Sequence, residues 1–201
     1  MIGAKKIVSR RKEKNKSPTL RKARERQKEG KMSEKKTRVG ILMGSDSDWE
    51  KINGVVKALD EFNVGYEVHV MSAHRTPDKV LEYAANAKKR GLGVVVAAAG
   101  GAAHLAGVVA SHTTLPVIGI PVKTDLAGGL DSLLSTVQMP GDVPVATVGT
   151  GSGGARNAGI LAVQMLALAD PQLADALEAF KKKLVEKIEA KDAAFQEKLT
   201  K

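Results

Sequence analysis

Beyond residue 37, short apolar runs alternate with stretches whose apolar residues recur every three or four positions, as strands interleaved with helices do. The runs predict strands over 38–43, 66–70, 93–99, 116–120 and 143–148. The intervening stretches predict helices over 47–62, 77–90, 103–111, 131–137 and 155–168, the second closing near Gly91. Val94-Val95-Val96-Ala97-Ala98-Ala99 is apolar without interruption, which suits a strand covered on both faces. This rhythm predicts an α/β fold: a three-layer, doubly wound parallel sheet of flavodoxin/Rossmann-like type with right-handed crossovers. Asp170-Pro171 then starts a last helix over 171–201, with Leu173, Leu177, Phe180, Leu184 and Ile188 on one stripe. That stripe either covers its own domain or packs on a neighbouring subunit, and spacing does not separate the two. The chain is accordingly divided into a basic extension over 1–36, a catalytic domain over 37–170 and an amphipathic C-terminal helix over 171–201.

Charge changes the picture at one end only. The net charge is +10, and residues 1–31 carry 13 Lys/Arg against 3 Asp/Glu, so the whole excess sits in that arm. With almost no apolar periodicity, the arm is expected to be disordered, or at most a frayed helix around 19–29. One reading makes it an electrostatic tether to nucleic acid, although it has no aromatic side chain to stack on a base. The favoured reading is a translation start assigned upstream of the true one at Met32, with 28–31 encoded by a purine-rich ribosome-binding stretch. Nucleic acid is therefore expected as a partner only through this extension.

A chain of 201 residues suits one domain and a little more. Absence of cysteine excludes thiol catalysis, disulfides and thiolate metal sites. No apolar run approaches a membrane span, and no secretory signal core opens the chain, so a cytoplasmic protein with no membrane partner is the expectation.

Candidate chemistry gathers in loops after strands, where open α/β sheets bind ligands. Ser72-Ala73-His74-Arg75-Thr76-Pro77 lies between the second strand and a helix that Thr76-Pro77-Asp78 would cap. It joins a base able to move protons near neutral pH to a fixed cation for an anion. Gly44-Ser45-Asp46-Ser47-Asp48 follows the first strand. One Ser or Asp suffices to cap a helix, so the others are free for a phosphorylated, hydroxyl-rich ligand. Ala99-Gly100-Gly101-Ala102-Ala103-His104-Leu105 follows the third, and its paired glycines let backbone approach a flat ligand. Taken singly, His104 would more often be structural than catalytic, and His69 and His112 still more so.

Gly149-Thr150-Gly151-Ser152-Gly153-Gly154 fits G-x-G-x-x-G in form, but it follows the last strand with no acidic strand beyond it. It is read as an anion hole or a turn rather than a nicotinamide site. Walker, G-x-S-x-G and H-E-x-x-H motifs are lacking.

Together with Asp131-Ser132-Leu133-Leu134-Ser135-Thr136-Val137-Gln138-Met139-Pro140, these loops resemble the 5-(carboxyamino)imidazole ribonucleotide mutase family, in order from about 38 to about 169. The resemblance implies a purine-biosynthetic isomerase that moves a carboxylate from the exocyclic nitrogen to ring carbon C4, with no cofactor and no metal. It implies His74 as general acid/base, with Ser45, Asp48 and Arg75 on the ribose phosphate. Ser72, Gly100, Gly101, Ala102, His104 and Leu105 would line the rest of the substrate pocket. It also implies a homo-octamer with sites at subunit contacts. A related branch that carboxylates aminoimidazole ribonucleotide directly tends to carry lysine after the histidine, so Arg75 resembles the mutase branch. The arm and the tail past about 183 stand outside the resemblance.

Overall fold

Five parallel strands in the order β2-β1-β3-β4-β5 carry the molecule: β1 Thr37–Met43, β2 Gly65–Val70, β3 Val94–Ala99, β4 Val117–Pro121 and β5 Ala146–Thr147. The computed structural model describes residues 36–200; the expectations placed on the basic arm lie outside the described residues. Between the strands run α1 Trp49–Ile52, α2 Gly54–Glu61, α3 Pro77–Ala87, α4 Leu105–Ala110 and α5 Leu130–Val137, followed by α6 Gly151–Ala167 and α7 Pro171–Leu199.

Successive residues of a strand face opposite ways, so an all-apolar strand needs two cores. Val94, Val96 and Ala98 join one core with α2, α6 and the start of α7, while Val95 and Ala97 join the other with α3 and α4. This is the three-layer, doubly wound sheet that the rhythm predicts. From β1 the chain crosses one face to the edge strand β2, then returns over the other face to β3 on the far side of β1. The loops after β1 and β3 therefore diverge, and that switch point opens a crevice at the carboxyl ends of the strands.

Several elements differ from the periodicity. The helix expected over 47–62 is three pieces: a 3-10 turn Asp46–Asp48, then α1, then α2. A Cβ on Gly54 would stand 3.2 Å from the Arg156 nitrogen and 3.3 Å from the Ser152 carbonyl, so backbone meets backbone where α2 starts. The fifth strand shrinks from the expected 143–148 to two residues; Pro144 inside that stretch has no N–H to give a ladder. Helix α4 starts at Leu105 rather than 103, because 101–104 coil into two tight turns, Ala103 N–H to Gly101 O and His104 N–H to Ala102 O. Helix α6 starts at Gly151 and so absorbs most of the glycine run; Gly154 lies against the Gly149 carbonyl with no room for a Cβ.

The last helix resolves its stripe into two halves. Leu173 and Phe180 are buried in the core, and Phe180 meets Phe62 edge to face at 5.3 Å between centroids. Leu184 and Ile188, on the same stripe, are 40% and 62% exposed. Asp170 caps the helix through the Leu173 N–H and accepts from Arg38 at 2.6 Å, tying the start of β1 to α7. The Arg38 bond, ahead of burial which opposes it, holds the Asp170 carboxyl below its usual range. Among the described residues no helix is long and apolar enough to cross a membrane.

Candidate active site

Three strand-end loops meet at the switch point around a cleft of about 460 Å³. Its lining takes in Ser45 and Asp48 after β1, Ser72, His74 and Arg75 after β2, and Gly100, Ala102, His104 and Leu105 after β3. Every residue that the resemblance assigns to the substrate pocket is thus gathered here except Gly101, which is not among the lining residues. Gly44, Ala73 and Ala99 line the cleft too. They lie inside the same motifs but, having almost no side chain, gave no chemical signal of their own.

In the loop after β1, capping is done by Ser45, whose Oγ accepts from the Ser47 N–H at 3.3 Å. Asp48 makes no side-chain cap bond. Burial raises its pKa above the ordinary aspartate value of 3.8, outweighing the nearby Lys51 charge and a backbone hydrogen bond from Ser45. A carboxylate held against that penalty, facing a polar cleft, is suited to accept hydroxyl hydrogen bonds.

The loop after β2 is closed on itself. Thr76 does not cap α3 through its side chain, contrary to expectation. Its hydroxyl turns back, accepting from the Ser72 N–H at 3.0 Å and donating to the Ser72 carbonyl at 3.1 Å. Arg75 is drawn to the loop after β1, donating from Nη2 to the Gly44 carbonyl at 2.8 Å and from Nε to Ser72 Oγ at 3.4 Å. A guanidinium carries five N–H donors, so others remain for an anion.

His74 and His104 come together although 30 residues separate them. His74 Nε2 lies 2.8 Å from His104 Nδ1, with the rings nearly perpendicular at 86°. In such a bond one nitrogen donates and the other accepts, so each imidazole fixes the other's tautomer and orientation. His69 and His112 lie elsewhere: His69 Nε2 is 3.6 Å from Glu67, and His112 Nδ1 pairs with Ser111 Oγ at 2.8 Å. The glycine run 149–154 is not among the lining residues.

Behind the cleft, Ser132 Oγ accepts from the Gly101 N–H at 2.9 Å and donates to the Val122 carbonyl at 2.7 Å. Beside it the Asp131 carboxyl accepts from Thr124 Oγ1 at 2.6 Å and from the Ser132 N–H. The Thr124 bond, ahead of burial which opposes it, lowers the Asp131 pKa. Neither Asp131 nor Ser132 had a role in the sequence reading, although both fall in its fourth matched stretch.

Sequence and structure comparisons agree with one another. The family model described as AIR carboxylase matches residues 38–187. The N5-carboxyaminoimidazole ribonucleotide mutase of Mycobacterium leprae is 56% identical over 159 residues, covering 79% of this chain and 92% of the relative. That of Bacillus subtilis is 58% identical over 140 residues, covering 70% and 86%. Among solved structures, Treponema denticola PurE superposes with a TM-score of 0.71 at 27% identity, over 78% of this chain and 97% of that one. With three strand-end loops meeting as such a cleft demands and the family match running through all of them, the chain belongs to the AIR carboxylase family.

Proposed function

We propose that the protein is an N5-carboxyaminoimidazole ribonucleotide mutase of purine biosynthesis, converting its substrate to 4-carboxy-5-aminoimidazole ribonucleotide. The observation that carries this reading is the His74–His104 pair, set in a cleft whose other wall offers Ser45, Asp48 and Arg75. Arg75 and Ser45 hold the phosphate, Asp48 accepts from the ribose hydroxyls, and Ser72, Gly100, Ala102, His104 and Leu105 seat the ring, with Gly101 shaping the turn behind them. His74, protonated, gives its proton to the exocyclic nitrogen as the N–C bond breaks and carbon dioxide leaves. Ring carbon C4 then bonds to the carbon dioxide, and His74 takes the proton that C4 sheds. The imidazole ends as it began, so the reaction balances as an isomerisation with no metal or cofactor. A base that must work in both directions suits histidine.

Trapped carbon dioxide requires exclusion of water, yet His74 and His104 are exposed in the single chain. Self-association as a homo-octamer, with subunits meeting over the clefts, supplies the missing wall in this reading, and the enzyme works in the cytoplasm.

The test is a paired assay. The protein is offered 5-(carboxyamino)imidazole ribonucleotide, or aminoimidazole ribonucleotide with bicarbonate, with His74→Asn alongside. Conversion of the first substrate alone is expected, with turnover reduced at least about 100-fold in His74→Asn while binding persists. Faster conversion of the second mixture would move the protein to direct carboxylation, which the family description also covers. Full activity in His74→Asn would remove that residue from the mechanism.

A further inference from the structure

We infer that Ser132 is a positioning residue for the reaction, holding the Gly100-Gly101 turn and, through it, the His104 imidazole against His74. The inference rests on the mutase reading of the cleft. Ser132 lies in the first turn of α5, outside the cleft lining, and is fully buried. A buried hydroxyl needs partners for its donor and its lone pairs, and here the two short bonds go to backbone, with the Asp131 carboxyl farther off at 3.5 Å. The donor is spent on the Val122 carbonyl just past β4, and a lone pair takes the Gly101 N–H just past β3. One side chain thereby clamps two strand-end segments together under the floor of the cleft.

The segment it clamps opens on an unusual backbone conformation. Gly101 has φ +68°, the left-handed region that side-chain-bearing residues avoid. After it come two tight turns in succession, ending on His104. The His104 ring is exposed to the cleft, and its Nδ1 meets His74 at 2.8 Å. A shift in the Gly101 peptide is therefore handed along three residues to the imidazole that orients the acid/base. The phosphate and ribose groups, Ser45, Asp48 and Arg75, stand on the other two loops and lie outside this chain of contacts.

That separation gives a kinetic signature. Ser132→Ala leaves the Gly101 N–H and the Val122 carbonyl unpaired, and kcat is expected to fall about 10- to 100-fold, as small misplacements of reacting groups do. KM is expected to rise by a smaller factor than kcat falls, because the ribose phosphate contacts are intact and only the seat of the ring shifts. The control is Thr136→Val, which removes another buried hydroxyl from the same helix, one bonded to the Ser132 carbonyl at 2.7 Å and not to the glycine turn. Both variants are expected to lose thermal stability, and only Ser132→Ala to lose kcat and to shift the ring-proton NMR signals of His74 and His104. Ser132→Cys, with a weaker and longer donor, is expected to fall between wild type and Ala, and it carries the test if the Ala variant does not fold. Wild-type kcat in the Ala or Cys variant, or an equal loss in Thr136→Val, would overturn the assignment. Wild-type protein inactive on the carboxyamino substrate would instead overturn the mutase reading itself.

Discussion

In the proposed reading of the cleft, Asp48 sets binding against stability. Its carboxyl pKa is raised in the folded chain by burial, so the folded state holds the proton more tightly than the unfolded state does. The sign follows: the penalty is absent below the unfolded value, grows as pH rises through the folded one, and is complete at neutrality. Asp48→Asn should therefore melt slightly higher than wild type at pH 7, by less than about 1 kcal/mol because the half-exposed charge is screened. The gap should close as pH falls below the ordinary aspartate range. In the same variant KM should rise about tenfold or more if, as proposed, Asp48 is the ionised acceptor for the ribose hydroxyls. Scanning calorimetry across pH and steady-state kinetics on one preparation check both halves. A variant that is less stable at every pH would show the carboxylate to be a structural partner instead. Glu67 illustrates the opposite balance at the sheet edge. Burial pushes its carboxyl up, but hydrogen bonds from Tyr83 and Arg90, with the charges of Arg90 and His69, bring it below its usual range. The Tyr83 hydroxyl at the centre of that group is pushed up by burial and by Glu67, and it occupies the space that any side chain at Gly40 would need.

Elements were legible in the sequence to the extent that periodicity reports burial. Strands β3 and β4, and β1 from Val39 on, carry no polar side chain because both faces are covered, and their positions follow from composition alone. The site was legible for a related reason: strand ends locate the loops, and Asp48, His74, Arg75 and His104 carry groups that a helix or strand does not need there. What periodicity cannot show is which backbones touch. Gly54 and Gly159 look like weak points of helices in the sequence, yet they are where α2 and α6 approach most closely. A Cβ on Gly159 would stand 2.6 Å from the Val55 carbonyl and 2.7 Å from the Ala58 Cβ. The clamp of Ser132 on Gly101 and the meeting of His74 with His104 were hidden likewise, because each joins segments about 30 residues apart. Gly159→Ala tests this scale. Alanine gains about 1 kcal/mol of helix propensity, but overpacking costs about 1–3 kcal/mol where the obstacle is backbone that cannot rotate away. A net loss of up to about 2 kcal/mol is expected in thermal unfolding, with kcat of the folded fraction unchanged. A gain in stability would mean that α2 slides off α6 at little cost.

At the scale of the whole molecule, the excess of charge and the exposed apolar residues fall in different parts of the sequence. Residues 36–200 present Leu184, Val185, Ile188, Phe195 and Leu199 along the outer half of α7, and Leu126, Leu130, Leu134 and Val137 on and before α5, all at least 40% exposed. Two exposed apolar tracts on one chain fit the proposed self-association better than a solitary subunit, since monomeric proteins seldom leave such surface uncovered. The excess positive charge lies instead in residues 1–31. If assembly and catalysis belong to the apolar and cleft surfaces, removing those residues should leave both in place. The expected outcome for a variant beginning at Met32 is the multimer mass of the full chain by light scattering and kcat/KM within about twofold. Any affinity of the full chain for DNA should vanish together with its dependence on salt, because that dependence counts the cations that meet phosphate. Loss of the multimer on truncation would assign assembly to the arm. A full chain that runs as a monomer would count against the octamer and against a cleft closed by its neighbours, leaving carbon dioxide unconfined in a site open to water.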